Sequence, residues 1–197
     1  MAKKESTLKN MLIALMVITI VSGGVLGFIY GLTNERIELN KKEKNEKAIN
    51  EVLNINSKDN VVKKTFDCDT LVYNLAYTAD NQFIGAAVKT SQEGFSSKIE
   101  LMVGILADGV INKVSVISQQ ETPGLGANMV NAKFIDQFEG KDPSTFILRV
   151  SKDNNGGSVD AITAATISSR AFTKAVNRAV DGFEANKDQF MKGGDNE

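Results

Sequence analysis

Between Lys9 and Glu35 the chain carries no charged side chain, and from Met11 to Leu32 it is almost wholly apolar. A helix rising about 1.5 Å per residue crosses a hydrocarbon core of about 30 Å with such a run. A cleaved signal peptide has a shorter apolar core and a small-residue cleavage site. Here the run is too long, no Ala-x-Ala site follows it, and no Cys stands near to accept a lipid. The sequence therefore predicts an uncleaved membrane anchor at 11–32. Gly23, Gly24, Gly27 and Gly31 include small residues four apart. That spacing suits close packing against another membrane helix, although glycine is also frequent in spans generally. Lys3, Lys4 and Lys9 precede the span, but Arg36, Lys41, Lys42, Lys44 and Lys47 follow it closely, so charge alone does not set the orientation.

Residues 34 to 53 read as a helix continuing from the anchor. Glu38–Lys42 and Glu43–Lys47 are favourable i,i+4 pairs, and Ala48, Ile49, Val52 and Leu53 form an apolar edge suited to docking on a domain. Asn54 to Asn60 breaks the pattern. Beyond it Leu71, Tyr73, Leu75 and Tyr77 alternate with other residues, as one face of a strand does. Asp80-Asn81 reads as a turn, and Phe83 to Lys89 as an extended run. Ile99 to Leu106 and Val110 to Ile117 flank a hairpin at Ala107-Asp108-Gly109. Further expectations are a helix at 131–138, a strand from Phe146 to Val150 and a helix from about Thr163 to Glu184. The class is α+β with an antiparallel sheet. Its predicted divisions are a tail at 1–10, the span at 11–32, a juxtamembrane helix and linker at 33–60, a domain at 61–185 and a frayed polar tail at 186–197.

Composition excludes several chemistries. The net charge of −1 over 197 residues gives no reason to invoke nucleic acid. There is no His for acid–base work or metal ligation. The single Cys68, in what reads as a Phe-Asp-Cys-Asp turn, cannot form an intrachain disulfide or hold an iron–sulfur cluster by itself, and no function is assigned to it.

Two stretches carry chemistry. The first runs from Asp160 to Ser169, after a Gly-rich break and before apolar residues at 167, 171, 172, 175, 176, 179, 180 and 183, the spacing of one buried helix face. Thr163 and Thr166 thus fall near a helix start, where backbone N–H groups lack partners and a phosphate finds both donors and a favourable dipole. On local pattern alone, Thr163 or Asp160 is an ordinary N-cap and the other hydroxyls are solvated. The second stretch, Glu121-Thr122-Pro123-Gly124-Leu125-Gly126, is a tight turn whose glycines also allow backbone to approach a ligand.

Asp160-x-x-Thr163-x-Ala165-Thr166 resembles the acceptor motif of FMN-binding domains in the Rnf and sodium-translocating NADH:quinone oxidoreductase families. Residues 121–126 resemble the Glu-Thr-Pro-Gly-Leu-Gly signature of the same domains. Gly94-Phe95, the strand from Lys98 and the Asp-Gly turn follow their order. The likeness runs from the anchor to the last helix and is greatest to the G subunit of the Rnf electron-transport complex. One departure is Ala164, where those families usually carry Gly.

The resemblance implies covalent FMN, its phosphate joined to Thr166 by a transferase that uses FAD. It implies an extracytoplasmic flavin domain with a cytoplasmic N-terminus, other membrane subunits of the complex as partners, and electron relay within an ion-translocating ferredoxin:NAD oxidoreductase. A Thr hydroxyl is a poor nucleophile and no base stands near in sequence, so the transferase rather than this chain performs the attachment. For the ring, the backbone of Gly124 and Gly126 and the side chain of Leu125 are the first candidates. Glu121 and Thr122 bond its polar edge or hold the turn, and Thr163 donates to the phosphate or caps. Lys174 and Arg178 read as solvated charges. The chain has no nicotinamide fingerprint or ferredoxin-type cysteine set. The C subunit of the sodium-translocating quinone reductase, a free-standing extracytoplasmic flavin carrier, and a non-redox assembly or sensory module with a relic motif are the alternatives.

Overall fold

The structure is a computed structural model that describes residues 7–54, 62–68, 71–151, 153 and 156–192. The chain divides between Glu43 and Lys44 into two compact units. The first unit holds the greater part of α1 (Leu8–Val52), which is long and apolar enough to cross a membrane. Its apolar side chains, Leu12, Val17, Leu26 and Phe28 among them, are exposed. Two of its hydroxyls, on Thr19 within the apolar stretch and Thr33 just after it, are satisfied within the helix, donating to the carbonyls of Leu15 (2.8 Å) and Ile29 (2.9 Å).

The second unit begins with the last turns of α1 and is built on five strands: β1 (Val62–Cys68), β2 (Leu71–Tyr77), β3 (Phe83–Glu93), β4 (Lys98–Leu106) and β5 (Ile111–Ser118). Each pairs antiparallel with the next, in the order β1-β2-β3-β4-β5. The period of two along a strand sends alternate side chains to opposite faces. Leu71, Tyr73, Leu75, Val88, Leu101, Val103 and Ile105 thereby meet one core with the long helix α3 (Thr166–Met191). Ala76, Ala87 and Met102 on the other face meet Ala48, Ile49, Val52 and Leu53. Both faces of the sheet are covered, which is why β4 is buried along most of its length.

The end of α1 is fastened by polar contacts as well. Asn112 donates to the Val52 carbonyl (2.7 Å), an acceptor at the helix end. Lys113 lies 3.0 Å from Glu51, a hydrogen bond that raises the lysine's pKa, and Ser115 donates to the same carboxylate (3.1 Å). Gly104 is glycine for a steric reason: a Cβ there would overlap the Val52 carbonyl.

Several expectations are corrected. Residues 66–68 belong to β1 rather than to a turn. The strand at Phe146–Val150 does not form; only Val150 pairs, in a single parallel bridge with Val159. Asp142 curls the chain instead, accepting from Ser144 N through its side chain (2.8 Å) and from Phe146 N through its carbonyl (2.8 Å). Local bonding of this kind overrides β propensity. The helix expected at 131–138 is one α turn, α2 (Ala132–Ile135), between 3-10 turns at Gly126–Val130 and Asp136–Phe138. It seats Phe134 and Phe138 against Phe172 on α3, with both ring centroids 5.1 Å from that ring.

The largest correction is at the end of α3. It runs to Met191, past Glu184 and through much of the stretch read as a frayed tail. Phe190 is only 1% exposed and packs on Phe66, Tyr73 and Phe183, while the Tyr77 hydroxyl donates to its carbonyl (2.9 Å). Burial raises the Tyr77 pKa. The linker at 55–61 and the final residues 193–197 lie outside the described residues.

Candidate functional site

The start of α3 is the centre of the site. Its N-cap is Ala165, not Thr163 or Asp160, and no side chain caps it. Ser169 N makes the first helical bond, to Ala165 O (3.0 Å), so the earlier N–H groups of the helix lack intrahelical partners. Thr166 is the first helical residue and is half-buried. Neither its hydroxyl nor that of Thr163 has a hydrogen-bond partner among the described residues.

The approach to the helix is shaped by a turn in which Ala165 N bonds to Ile162 O (3.0 Å), with Ala164 at φ +59°. An L-residue pays a steric cost there of about 1–2 kcal/mol. This gives the physical reason why a glycine suits position 164. Ser169 holds the turn from below, accepting from Ile162 N (3.0 Å) and donating to Ala165 O (2.9 Å).

Ser168 points the other way, and its hydroxyl donates to Glu121 (2.6 Å). The Glu121 carboxylate is 5% exposed and also accepts from the backbone N–H groups of Phe95 (3.1 Å), Ser96 (3.0 Å) and Ser97 (3.1 Å). Burial pushes its pKa up, but the bonds from Ser168 and the three amides outweigh it and hold the carboxyl below its ordinary value. Both neighbouring glycines are required by this packing. A Cβ on Gly94 would lie 2.5 Å from Glu121 Oε1, and one on Gly126 2.5 Å from Ser168 Oγ. Glu121 therefore holds the turn; its oxygens are occupied by protein donors.

Thr122, Pro123, Gly124 and Leu125 are exposed beyond it. Gly124 has φ +77°, and its carbonyl accepts from the Asn128 side chain (2.8 Å). Two clefts meet at Leu125 and Ala164. One, of about 350 Å³, gathers Glu121, Thr122, Leu125, Gly126, Ala165 and Thr166 with Phe95 and Ile167. The other, of about 510 Å³, takes Gly124, Leu125, Asp160 and Thr163 with Asn128, Lys133 and Gln137. Asp160 is held by Gln137, which accepts from its N–H (2.7 Å) and donates to its carbonyl (3.2 Å).

Three features escaped the sequence reading. Ser168 and Ser169, read as solvated, are buried clamps. Ile167, read as part of the buried face, is 52% exposed at the cleft. Phe95 lines the cleft, although only its place in a motif order stood out. Periodicity hid the second feature, because Ile167 falls on the spacing of the buried face, and a Phe between Gly and Ser was the available signal for the third.

Residues 94–181 match the family described as FMN-binding domain. Along nearly the full length, the chain is 32% identical over 205 residues to the G subunit of the ion-translocating oxidoreductase complex of Pseudomonas aeruginosa (strain UCBPP-PA14), covering 96% of this chain and 94% of that one. The chain belongs to this G-subunit family. Within the family it is 41% identical over 102 residues to the G subunit of the proton-translocating ferredoxin:NAD(+) oxidoreductase complex of Clostridium ljungdahlii, covering 51% of this chain and 54% of the relative. The fold is shared with the crystal structure of the C subunit of Na(+)-translocating NADH-quinone reductase from Parabacteroides distasonis. That comparison has a TM-score of 0.58 at 20% identity and covers 77% of this chain and 96% of that one. As a member of the G-subunit family the chain has an FMN-binding domain, and the apolar part of α1 has the length and composition of a transmembrane helix.

Proposed function

We propose that this chain is a membrane-anchored flavoprotein subunit that relays electrons within an ion-translocating ferredoxin:NAD oxidoreductase complex, with FMN joined through its phosphate to Thr166 Oγ1. The observation that carries the attachment site is the hydroxyl's place at the uncapped start of α3, in a cleft with unpaired helix N–H groups. Ser168 and Ser169 are buried and committed to Glu121 and Ala165. Thr163 is free but stands outside the helix.

The residues suit the group. The helix N-terminus stabilises the single negative charge of a phosphodiester by about 0.3–1 kcal/mol at an exposed site. The apolar walls Phe95, Leu125 and Ile167 suit the ring, and the cleft of about 350 Å³ falls within the usual range for a small-molecule site. Gly124 and Gly126 shape the turn around it, and Asp160 and Thr163 border the adjoining cleft. When bound, the flavin supplies the redox chemistry, and the protein supplies orientation and electrostatics. In the attachment step Thr166 Oγ1 bonds to the flavin-side phosphorus of FAD, the bond to AMP breaks, and the hydroxyl proton passes to a base on the transferase. The N-terminal tail lies in the cytoplasm and the flavin domain outside it, where a covalent tether prevents cofactor loss. Other membrane subunits of the complex are its partners.

Co-expression with the transferase should give a band that fluoresces under ultraviolet light after denaturing electrophoresis, with the added mass on the Thr166 peptide. Thr166→Val keeps the branched shape and should abolish the fluorescence while the protein still folds and inserts. Fluorescence that survives in the valine variant would refute the assignment.

A further inference from the structure

Resting on that reading, we propose that Phe95 is the wall against which the isoalloxazine ring lies, and that Glu121 fixes its distance from the attachment point. In the second unit, the large apolar side chains most exposed among the described residues are Phe95, Leu125, Val130, Ile147, Ile167 and Met191, with Phe95 first at 69%. Three of these six line the single cleft that holds Thr166. Exposed apolar surface gathered around a polar attachment point marks a ligand face rather than a loose surface. An aromatic ring flanked by two aliphatic side chains matches a flat conjugated ring system in shape and polarity.

The phenyl group is carried on a rigid support. The turn Gly94–Ser97 is closed by Gly94 N to Ser97 O (2.8 Å), and the N–H groups of residues 95, 96 and 97 all donate to Glu121. The same carboxylate accepts from Ser168, in the helical turn that begins with Thr166. One buried carboxylate thus sets the gap between the Phe95 turn and the acceptor hydroxyl. Glu121 acts here as a positioning residue and touches no flavin.

The test exploits a gap in the composition. An excited flavin takes an electron from an indole in van der Waals contact and returns it without emitting light, whereas a phenyl ring does not quench in this way. The chain has no Trp, and none of its three Tyr lines the cleft. The probe is the covalently bound FMN of the full chain in detergent, with flavin-to-protein stoichiometry measured for each variant. F95W should lower native emission several-fold relative to wild type at equal stoichiometry, with recovery on unfolding. K133W, in the adjoining cleft of about 510 Å³, should leave emission unchanged. F95A should retain the flavin and become several-fold more sensitive to iodide quenching. Emission of F95W equal to wild type, or quenching by K133W alone, would overturn the proposal. Wild-type protein without covalent flavin would instead overturn the reading beneath it, and the proposal with it.

Discussion

Replacing Glu121 by Gln removes one charge and keeps the shape. In the wild type four donors converge on the carboxylate, three backbone N–H groups at 3.0–3.1 Å and the Ser168 hydroxyl at 2.6 Å. The amide retains one oxygen for the turn and presents its NH₂ to Ser168, whose hydroxyl must rotate to accept. Bonds to a charged group contribute about 1.5–3 kcal/mol against about 1 for neutral ones, so weakening the set costs about 2–3 kcal/mol. For a unit spanning residues 44–197, each kcal/mol moves Tm by about 2–4 °C, a fall of about 4–12 °C in all. The penalty has a pH signature. The folded-state pKa of Glu121 lies below its ordinary 4.5, so its contribution is present above that value and is lost as pH falls through the folded pKa. The gap between wild type and E121Q should therefore be full near neutrality and shrink below about pH 4.5. Thermal unfolding of the full chain in detergent, followed by near-ultraviolet circular dichroism of the buried Tyr73 and Tyr77, measures both. A loss under about 0.5 kcal/mol, or a gap unchanged in acid, would show that the carboxylate does not hold the turn through its charge.

Ala164→Gly should stabilise the domain by about 1 kcal/mol, because relief of the φ +59° backbone exceeds the entropy gained by the unfolded chain; a lower Tm would refute the strain. Phe190→Ala should cost about 3–5 kcal/mol, since it empties the centre of an aromatic cluster. A chemical denaturation midpoint unchanged from wild type would mean that the last turn of α3 is dispensable. A reporter active only in the cytoplasm, fused at the C-terminus, should be silent, and robust activity there would reverse the proposed topology.

Much of the fold was legible because its signals are periodic. The uncharged run gave the apolar part of α1, and alternation at Leu71, Tyr73, Leu75 and Tyr77 gave the core face of β2. The hairpin at Asp108-Gly109 followed from turn chemistry, with Val110 N bonded to Asp108 Oδ1 (3.0 Å). What was missed depends on contacts remote in sequence. Phe190 reads as tail because the stretch around it is mostly polar, and residues remote in sequence, Phe66, Tyr73, Tyr77 and Phe83, help to make it core. At the site, Thr166 stood out through its motif. The helix start could not be fixed to the residue because Ala165, which carries no capping group, occupies the N-cap. Ser168 looked like surface because its partner, Glu121, lies 47 residues earlier.

The sheet and the site differ in when they come into being. Every strand pairs with its neighbour in sequence, so the meander assembles from short-range hairpins, which form quickly. Thr166 is different: its surroundings exist only after α3 has crossed the finished sheet and Ser168 has found Glu121. Closure of that kind couples segments far apart along the chain and comes late in assembly. A modifying enzyme that recognises the helix start and the adjoining cleft would then find no substrate in an unfinished domain. Flavin content would in that case report the fraction of the chain that had folded when the enzyme acted, and a destabilised variant would be under-loaded with cofactor while still inserted in the membrane.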